Sequence, residues 1–334
     1  MIPWHAYAPS AAEDIVRLRK RLDTLPPKET DRNLLVATWN IRAFGGLQER
    51  WLEGEGSPKR NLRGLACIAE VVRRFDIVAV QEVKRETSAI RYLMDRFLGP
   101  DWGVVLSDVS EGDPGNHERL AYLYDKRRVT PSGLAGEIVV PALPDGTRPT
   151  QFARTPFIAG FRAGDIHVSL LTAHILYGSV PDDRRPELES FARYTARYLR
   201  DGGSSEERNL VVLGDFNIDA RKLDNPLFAA FVDQGLVVPA ELLDVRSSTG
   251  TTVKHYDQIG WFMGALDVPY RGRAGVVDFA GAVFPELTPS QMTWRVSDHL
   301  PLWVEFGTDR SVEGLAAVLG VDPDPRALDE AVEG

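Results

Sequence analysis

Residues 210–220 read Leu-Val-Val-Leu-Gly-Asp-Phe-Asn-Ile-Asp-Ala. The first four are apolar, dense in β-branched side chains, and end at Gly214. A run this short, with turn chemistry behind it, predicts a strand covered on both faces. Asp215 and Asn217 follow at its carboxyl end, with Phe216 between them. If the chain stays extended, carboxylate and amide share one face and the ring takes the other. The plainer reading is a buried strand followed by an Asp/Asn turn. Cargo at other strand ends separates the two.

Similar cargo recurs. Residues 34–38 form an apolar strand closed by Trp39-Asn40-Ile41-Arg42, and residues 76–80 another, closed by Gln81-Glu82-Val83-Lys84. Glu118 and Arg119 enter a strand at 120–124. Segments 155–161 and 167–172 read as a hairpin turning at Gly164-Asp165, and its second strand delivers His174. Tyr256-Asp257 leads into a strand at 259–262, a short strand is expected at 276–279, and Ser297-Asp298-His299 precedes the last, at 302–306. A further strand is expected at 102–107. Helical patterns occupy 11–25, 62–75, 88–98, 181–200 and 225–234. Residues 43–60 and 111–117 read as loops, 129–150 as hairpins and 202–207 as a turn. After Gly307 an acidic tail has room for one short helix at 312–319, with Pro323 and Pro325 breaking the remainder. Interleaved helices and strands predict an α/β or α+β class with at least one mixed sheet. No repeat or linker interrupts residues 34–306. The expected division is a helical extension at 1–30, one domain at 31–307 and an acidic extension at 308–334.

The chain has 334 residues, 43% apolar and 26% charged, which suits a soluble globular protein with a sizeable core. Its net charge of -9 argues against gripping nucleic acid by bulk charge, though not against a local basic patch or a metal that neutralises phosphate. A single cysteine, Cys67, excludes an internal disulfide and a multi-thiolate metal site. No membrane span and no targeting signal are evident, so a cytoplasmic location is expected, with secretion left open. No obligate protein partner is inferred.

Together the strand ends carry what phosphodiester cleavage requires. Negative charge builds on phosphorus oxygens, water is a weak nucleophile and an alkoxide a poor leaving group. The chemistry therefore calls for a hard cation, a base, an acid and donors around the phosphate. Mg²⁺ prefers oxygen ligands, which Glu82, Asn40 and Asp298 offer. His174 and His299, each with a carboxylate within the set, suit the acid and base work.

The blocks Trp39-Asn40-Ile41-Arg42-Ala43-Phe44-Gly45, Asp76–Val83, Gly214-Asp215-Phe216-Asn217 and Ser297-Asp298-His299 resemble the signatures of the endonuclease/exonuclease/phosphatase superfamily. The likeness is greatest to its deoxyribonuclease I branch, through Arg73–Val78, Glu118–Tyr124, Arg154-Thr155-Pro156-Phe157 and Tyr256-Asp257. The resemblance implies a four-layer α/β sandwich, two packed mixed β-sheets flanked by helices, with the site at the strand ends. It implies Glu82 as principal metal ligand with Asn40 beside it and Asp298 in support. His299, held by Asp257, would activate water, and His174, held by Glu118, would assist the leaving oxygen. Asp215 and Asn217 would orient nucleophile and phosphate. Arg42 and Arg154 would contact phosphate, with Tyr256 and Lys84 on the substrate side. Lys84 and Asn116 depart from the Arg and Tyr with which that branch engages the DNA minor groove.

The implied activity is a divalent-metal-dependent DNA endonuclease, using Mg²⁺, or Mn²⁺ or Ca²⁺ in its place. Arg42, Lys59, Arg60, Arg63, Lys84 and Arg85 would make a local basic approach. The alternatives are a phosphatase or phosphodiesterase acting on a small or lipid headgroup phosphate ester, and a non-catalytic scaffold. Presence of the whole residue set weighs against the scaffold.

Overall fold

The computed structural model describes residues 1–111, 115–142, 145–147, 151–200, 209–322 and 331–332. The expected turn at 202–207 and the tail with Pro323 and Pro325 lie outside them. Strands β1 (Asn33–Phe44), β2 (Ile77–Lys84), β3 (Trp102–Leu106) and β4 (Glu118–Asp125) belong to one sheet. Strands β5 (Thr130–Glu137), β6 (Phe157–Ala163), β7 (Ile166–His174), β8 (Leu210–Asp215), β9 (Leu236–Val237) and β10 (Asp257–Phe262) form a second. Strands β11 (Tyr270–Val276) and β12 (Leu302–Gly307) return to the first. The orders are β11-β12-β1-β2-β4-β3 and β5-β6-β7-β8-β10-β9. One parallel pair in each, β1/β2 and β7/β8, makes both sheets mixed.

Alternation along each strand builds the layers. Leu34 and Val36 of β1, with Ile77 and Ala79 of β2, meet Phe161, Leu170, Val211 and Leu213 of the other sheet. Leu35, Ala37 and Trp39 point the opposite way, against helices α1 (Pro9–Leu22) and α2 (Leu62–Val72). The next helices are α3 (Ser88–Tyr92), α4 (Arg185–Arg200) and α5 (Pro226–Val232). Leu210, Val212 and Phe216 likewise pack on Leu188 and Phe191 of α4 and on Phe231 of α5. The fold is thus helix, sheet, sheet, helix, with every residue of β8 buried, as its unbroken apolar run requires. Asp14, fully buried on α1, ties that helix down: it accepts from Arg63 and the Phe284 N–H.

Some boundaries differ from expectation. β1 continues through Phe44, so the motif Trp39–Phe44 is strand and the loop begins at Gly45. The helix at 88–98 is α-helical only to Tyr92, then π-helical over Leu93–Leu98. The strand expected at 276–279 runs instead over Tyr270–Val276; two glycines and two arginines hide its pattern, and pairing with β12 creates it. Helix α6 (Pro289–Thr293) follows, and the tail helix expected at 312–319 is α7 (Ser311–Leu319).

Candidate active site

The carboxyl ends of β1, β2, β7 and β8 open at one edge of the sandwich, where β4 and β10 begin. Asp215 lies at the centre, buried. His174 Nε2 lies 3.5 Å from its Oδ2 and His299 Nε2 3.7 Å from the same atom. Each imidazole is held from behind: His174 Nδ1 is 3.0 Å from Glu118 Oε2, and His299 Nδ1 is 2.8 Å from Asp257 Oδ2. Asn40 donates from Nδ2 to Asp215 Oδ2 at 2.8 Å. Two histidine–carboxylate pairs therefore flank one buried carboxylate.

The extended reading of Asp215–Asn217 is corrected. The strand stops at Asp215, and Asn217 adopts a left-handed φ of 52°. Its N–H donates back to Asp215 Oδ1 at 3.0 Å and its Nδ2 to Ile175 O at 2.7 Å. A short side chain that bonds its own backbone two residues on outcompetes the extended ladder. Asp215 still faces the cleft, and Asn217 locks the turn.

A comparable distortion aims Glu82. The β2 ladder shifts register between Val80 and Val83, and that of β1 between Asn40 and Phe44. Glu82 and Ala43 have φ of 62° and 45°, costly for residues with a side chain. The outcome is a 2.7 Å bond from the Ala43 N–H to Glu82 Oε2. Asp298 sits at the rim, 3.3 Å from Arg42 Nη1. Arg42 also donates to Thr293 Oγ1 at 2.7 Å. Lys84 Nζ reaches Glu118 Oε1 at 2.7 Å, and Arg154 Nε is 2.5 Å from Glu118 Oε2. Tyr256 places its ring 5.8 Å from that of His299.

Thirteen positions named from the sequence thus meet at one edge, but the basic approach shrinks. Arg63 is buried against Asp14 and Glu286, and Arg85 pairs with Glu111. Arg60 is buried beneath the cleft, donating to the carbonyls of Arg42, Ala43, Arg295 and Val296. Arg42, Lys59 and Lys84 remain. Sequence reasoning also passed over Ser297 Oγ, which donates to Asn40 O and accepts the N–H groups of Arg42 and His299. Arg221 was missed as well; it holds the Asp257 carbonyl.

Charge is distributed unevenly. Burial alone would raise the Glu118 carboxyl, but the His174 hydrogen bond, His174 and Arg154 charges and Lys84 hold it well below the usual range. Asp215 is buried too, yet His299, His174 and the Asn40 amide bring it down. At Asp257 burial prevails over His299 and raises the carboxyl. Burial would lower His299, but Asp257 and Asp215 outweigh it, and the imidazole is raised well above its ordinary value. For Arg60, burial wins over Glu82 and Asp298 and brings the guanidinium down to about 10, still charged at neutral pH.

A model of the Endonuclease/Exonuclease/phosphatase family matches residues 37–299. The chain belongs to that family. A protein named Deoxyribonuclease from Thioalkalivibrio sp. (strain K90mix) is 28% identical over 296 residues, 85% of this chain and 74% of its own. Deoxyribonuclease-1 of Bos taurus is 25% identical over 283 residues, 81% of this chain and 92% of its own. The crystal structure of D. rerio TDP2 complexed with single strand DNA product matches with a TM-score of 0.53 at 16% identity. It covers 82% of this chain and 98% of that one, a likeness of fold.

Membership makes the chain a phosphoric ester hydrolase of a divalent-metal-dependent family. Two donor sets fit a hard cation. Asp215, Asp257 and His299 offer ligand atoms within 4.8 Å of one another. Glu82 and Asn40 form the other: Asn40 Oδ1 is buried without a hydrogen-bond partner among the described residues, and its amide orientation is fixed because Nδ2 must face Asp215. An orphaned buried carbonyl oxygen suits a cation better than any neighbour it has.

Proposed function

We propose that the chain is a metal-dependent phosphodiesterase that cuts DNA internally. The observation that carries this reading is the pair of imidazole Nε2 atoms flanking one carboxylate oxygen of Asp215, each imidazole anchored by its own carboxylate. In-line displacement at phosphorus needs a base on one side and an acid on the other, and this arrangement supplies both. His299 takes the proton from water, with Asp257 orienting the ring and stabilising the imidazolium. His174, supported by Glu118, donates a proton to the departing oxygen. Asp215 aligns the attacking water, and Asn217 holds Asp215 in place.

Arg154 Nη1, buried and without a hydrogen-bond partner among the described residues, is a donor for a phosphate oxygen. Arg42 and Lys84 extend that positive surface along the rim, and Tyr256 borders the water side. Glu82 and Asn40 would hold Mg²⁺, with Asp298 in support; when bound, the ion neutralises charge on the phosphate oxygens. The names of the curated relatives favour DNA among phosphate esters.

A plasmid-nicking assay tests the reading. Supercoiled DNA should relax with Mg²⁺ or Mn²⁺, not in EDTA, and His299→Ala should slow nicking by about 10²–10⁴-fold, the usual scale for a general base. Clean hydrolysis of a small phosphate ester with no nicking under any metal would overturn it.

A further inference from the structure

Off the cleft, between the loop after β1 and helix α6, the surface sinks into a cavity of about 850 Å³. Cavities of this order accommodate a small organic group. Arg42, Lys59 and Lys84 supply positive charge to its walls, Trp294 and Pro58 supply apolar surface, and Glu86 is its carboxylate. Two of these belong to the catalytic edge already, through Arg42 with Asp298 and Lys84 with Glu118. The cavity therefore continues the cleft. Trp294 is 45% exposed, a large fraction for an indole. One face of it carries the Arg42 guanidinium, whose carbon lies 3.7 Å from the ring centroid. Lys59 has no ion-pair partner among the described residues.

We infer that this cavity receives an unstacked nucleotide next to the scissile phosphate, its base against Trp294 and its phosphate toward Lys59 and Lys84. The assignment rests on reading the cleft as a DNA phosphodiesterase. An aromatic ring beside cations that track a backbone is what a base and its phosphate require, and stacking serves every base alike. A concave wall takes a base that has left its helix; an intact duplex presents none to it. Single-stranded or frayed DNA is consequently the preferred substrate at this end of the cleft.

The test combines binding and turnover. In the His299→Ala protein with Mg²⁺, anisotropy of labelled octathymidylate should show affinity falling about tenfold on Trp294→Ala, with Trp294→Phe restoring most of it. Affinity for a short blunt duplex should change less than the single-strand value. In the otherwise wild-type protein, Trp294→Ala should depress cleavage of the oligonucleotide about tenfold more than that of bis(p-nitrophenyl) phosphate, which has no flanking base. Equal losses on both substrates would mean that Trp294 serves only to hold Arg42, and the cavity assignment falls. A protein that cleaves DNA but shows no change in either ratio also refutes the cavity alone. Failure to bind or cleave any DNA refutes the phosphodiesterase reading, and the cavity assignment with it.

Discussion

The two histidine–carboxylate pairs across Asp215 are built from the same parts and tuned in opposite directions. Glu118 has His174, Arg154 and Lys84 against it, three cations or potential cations around one buried carboxylate. Asp257 forms its one ion pair among the described residues with His299, and the charge of Asp215 lies nearby. Its other anchor, Arg221, bonds its backbone carbonyl and acts on the carboxylate only as a nearby charge. One side of the cleft is therefore rich in cations and holds its acid ionised. The other is rich in acids, which strengthen its imidazole as a base. A displacement in which phosphate charge grows at one side and a proton is taken at the other benefits from that asymmetry.

The contrast is broken most severely by removing Glu118. Glu118→Gln leaves Arg154 and Lys84 facing a neutral group in a buried place and should cost about 3 kcal/mol of stability at pH 7, read by thermal or urea unfolding. Its folded pKa lies below the unfolded value of about 4.3. The stabilisation is thus present above that pH and fades as pH falls through the folded value, so mutant and wild type should converge in acid. Asp257→Asn should cost about 1 kcal/mol or less, since burial already disfavours that carboxylate's charge. His299 carries the reverse sign: its contribution is full below about pH 6.5 and is lost as pH rises through its raised folded value. Equal losses from the two carboxylate substitutions at pH 7 would erase the asymmetry.

How much of this was readable beforehand follows from what the chemistry needs locally. Apolar β-branched runs ending in Asn40, Glu82, His174 and Asp215 are visible because a buried strand and a polar end sit next to each other in the chain. The turn at Asn217 and the bulge at Glu82 were not, since φ of 52° and 62° on non-glycine residues arises from bonds to Ile175 and Ala43 that no spacing predicts. Arg60 and Arg63 are indistinguishable as sequence. One lies under the cleft because four carbonyls close around it; the other is drawn to Asp14, 49 positions away. Trp294 escaped for the same reason: its partner Arg42 is brought to it only by the packing of α6 against β1.

A smaller effect sharpens the acid-rich side by itself. In the metal-free protein, the His299 imidazole should titrate above an ordinary histidine, as followed by histidine proton NMR. Asp257→Asn removes one of the three carboxylates that stabilise the imidazolium and should lower the titration midpoint. A midpoint that stays put would assign the raised value to Asp215 and Asp298.

The weakest effect decides on which side the cation sits. With Mg²⁺ roughly fivefold over its dissociation constant, folding should gain about 1 kcal/mol, seen as a rise in Tm. Glu82→Gln should abolish that rise while leaving the metal-free Tm almost unchanged, because an amide oxygen still accepts the Ala43 N–H. Asp257→Asn should keep most of the rise. The opposite pattern, with the rise lost in Asp257→Asn and kept in Glu82→Gln, would move the ion onto Asp215, Asp257 and His299. His299 would then be a ligand with its lone pair occupied, unable to take a proton from water, and base catalysis would have to come from the His174 side.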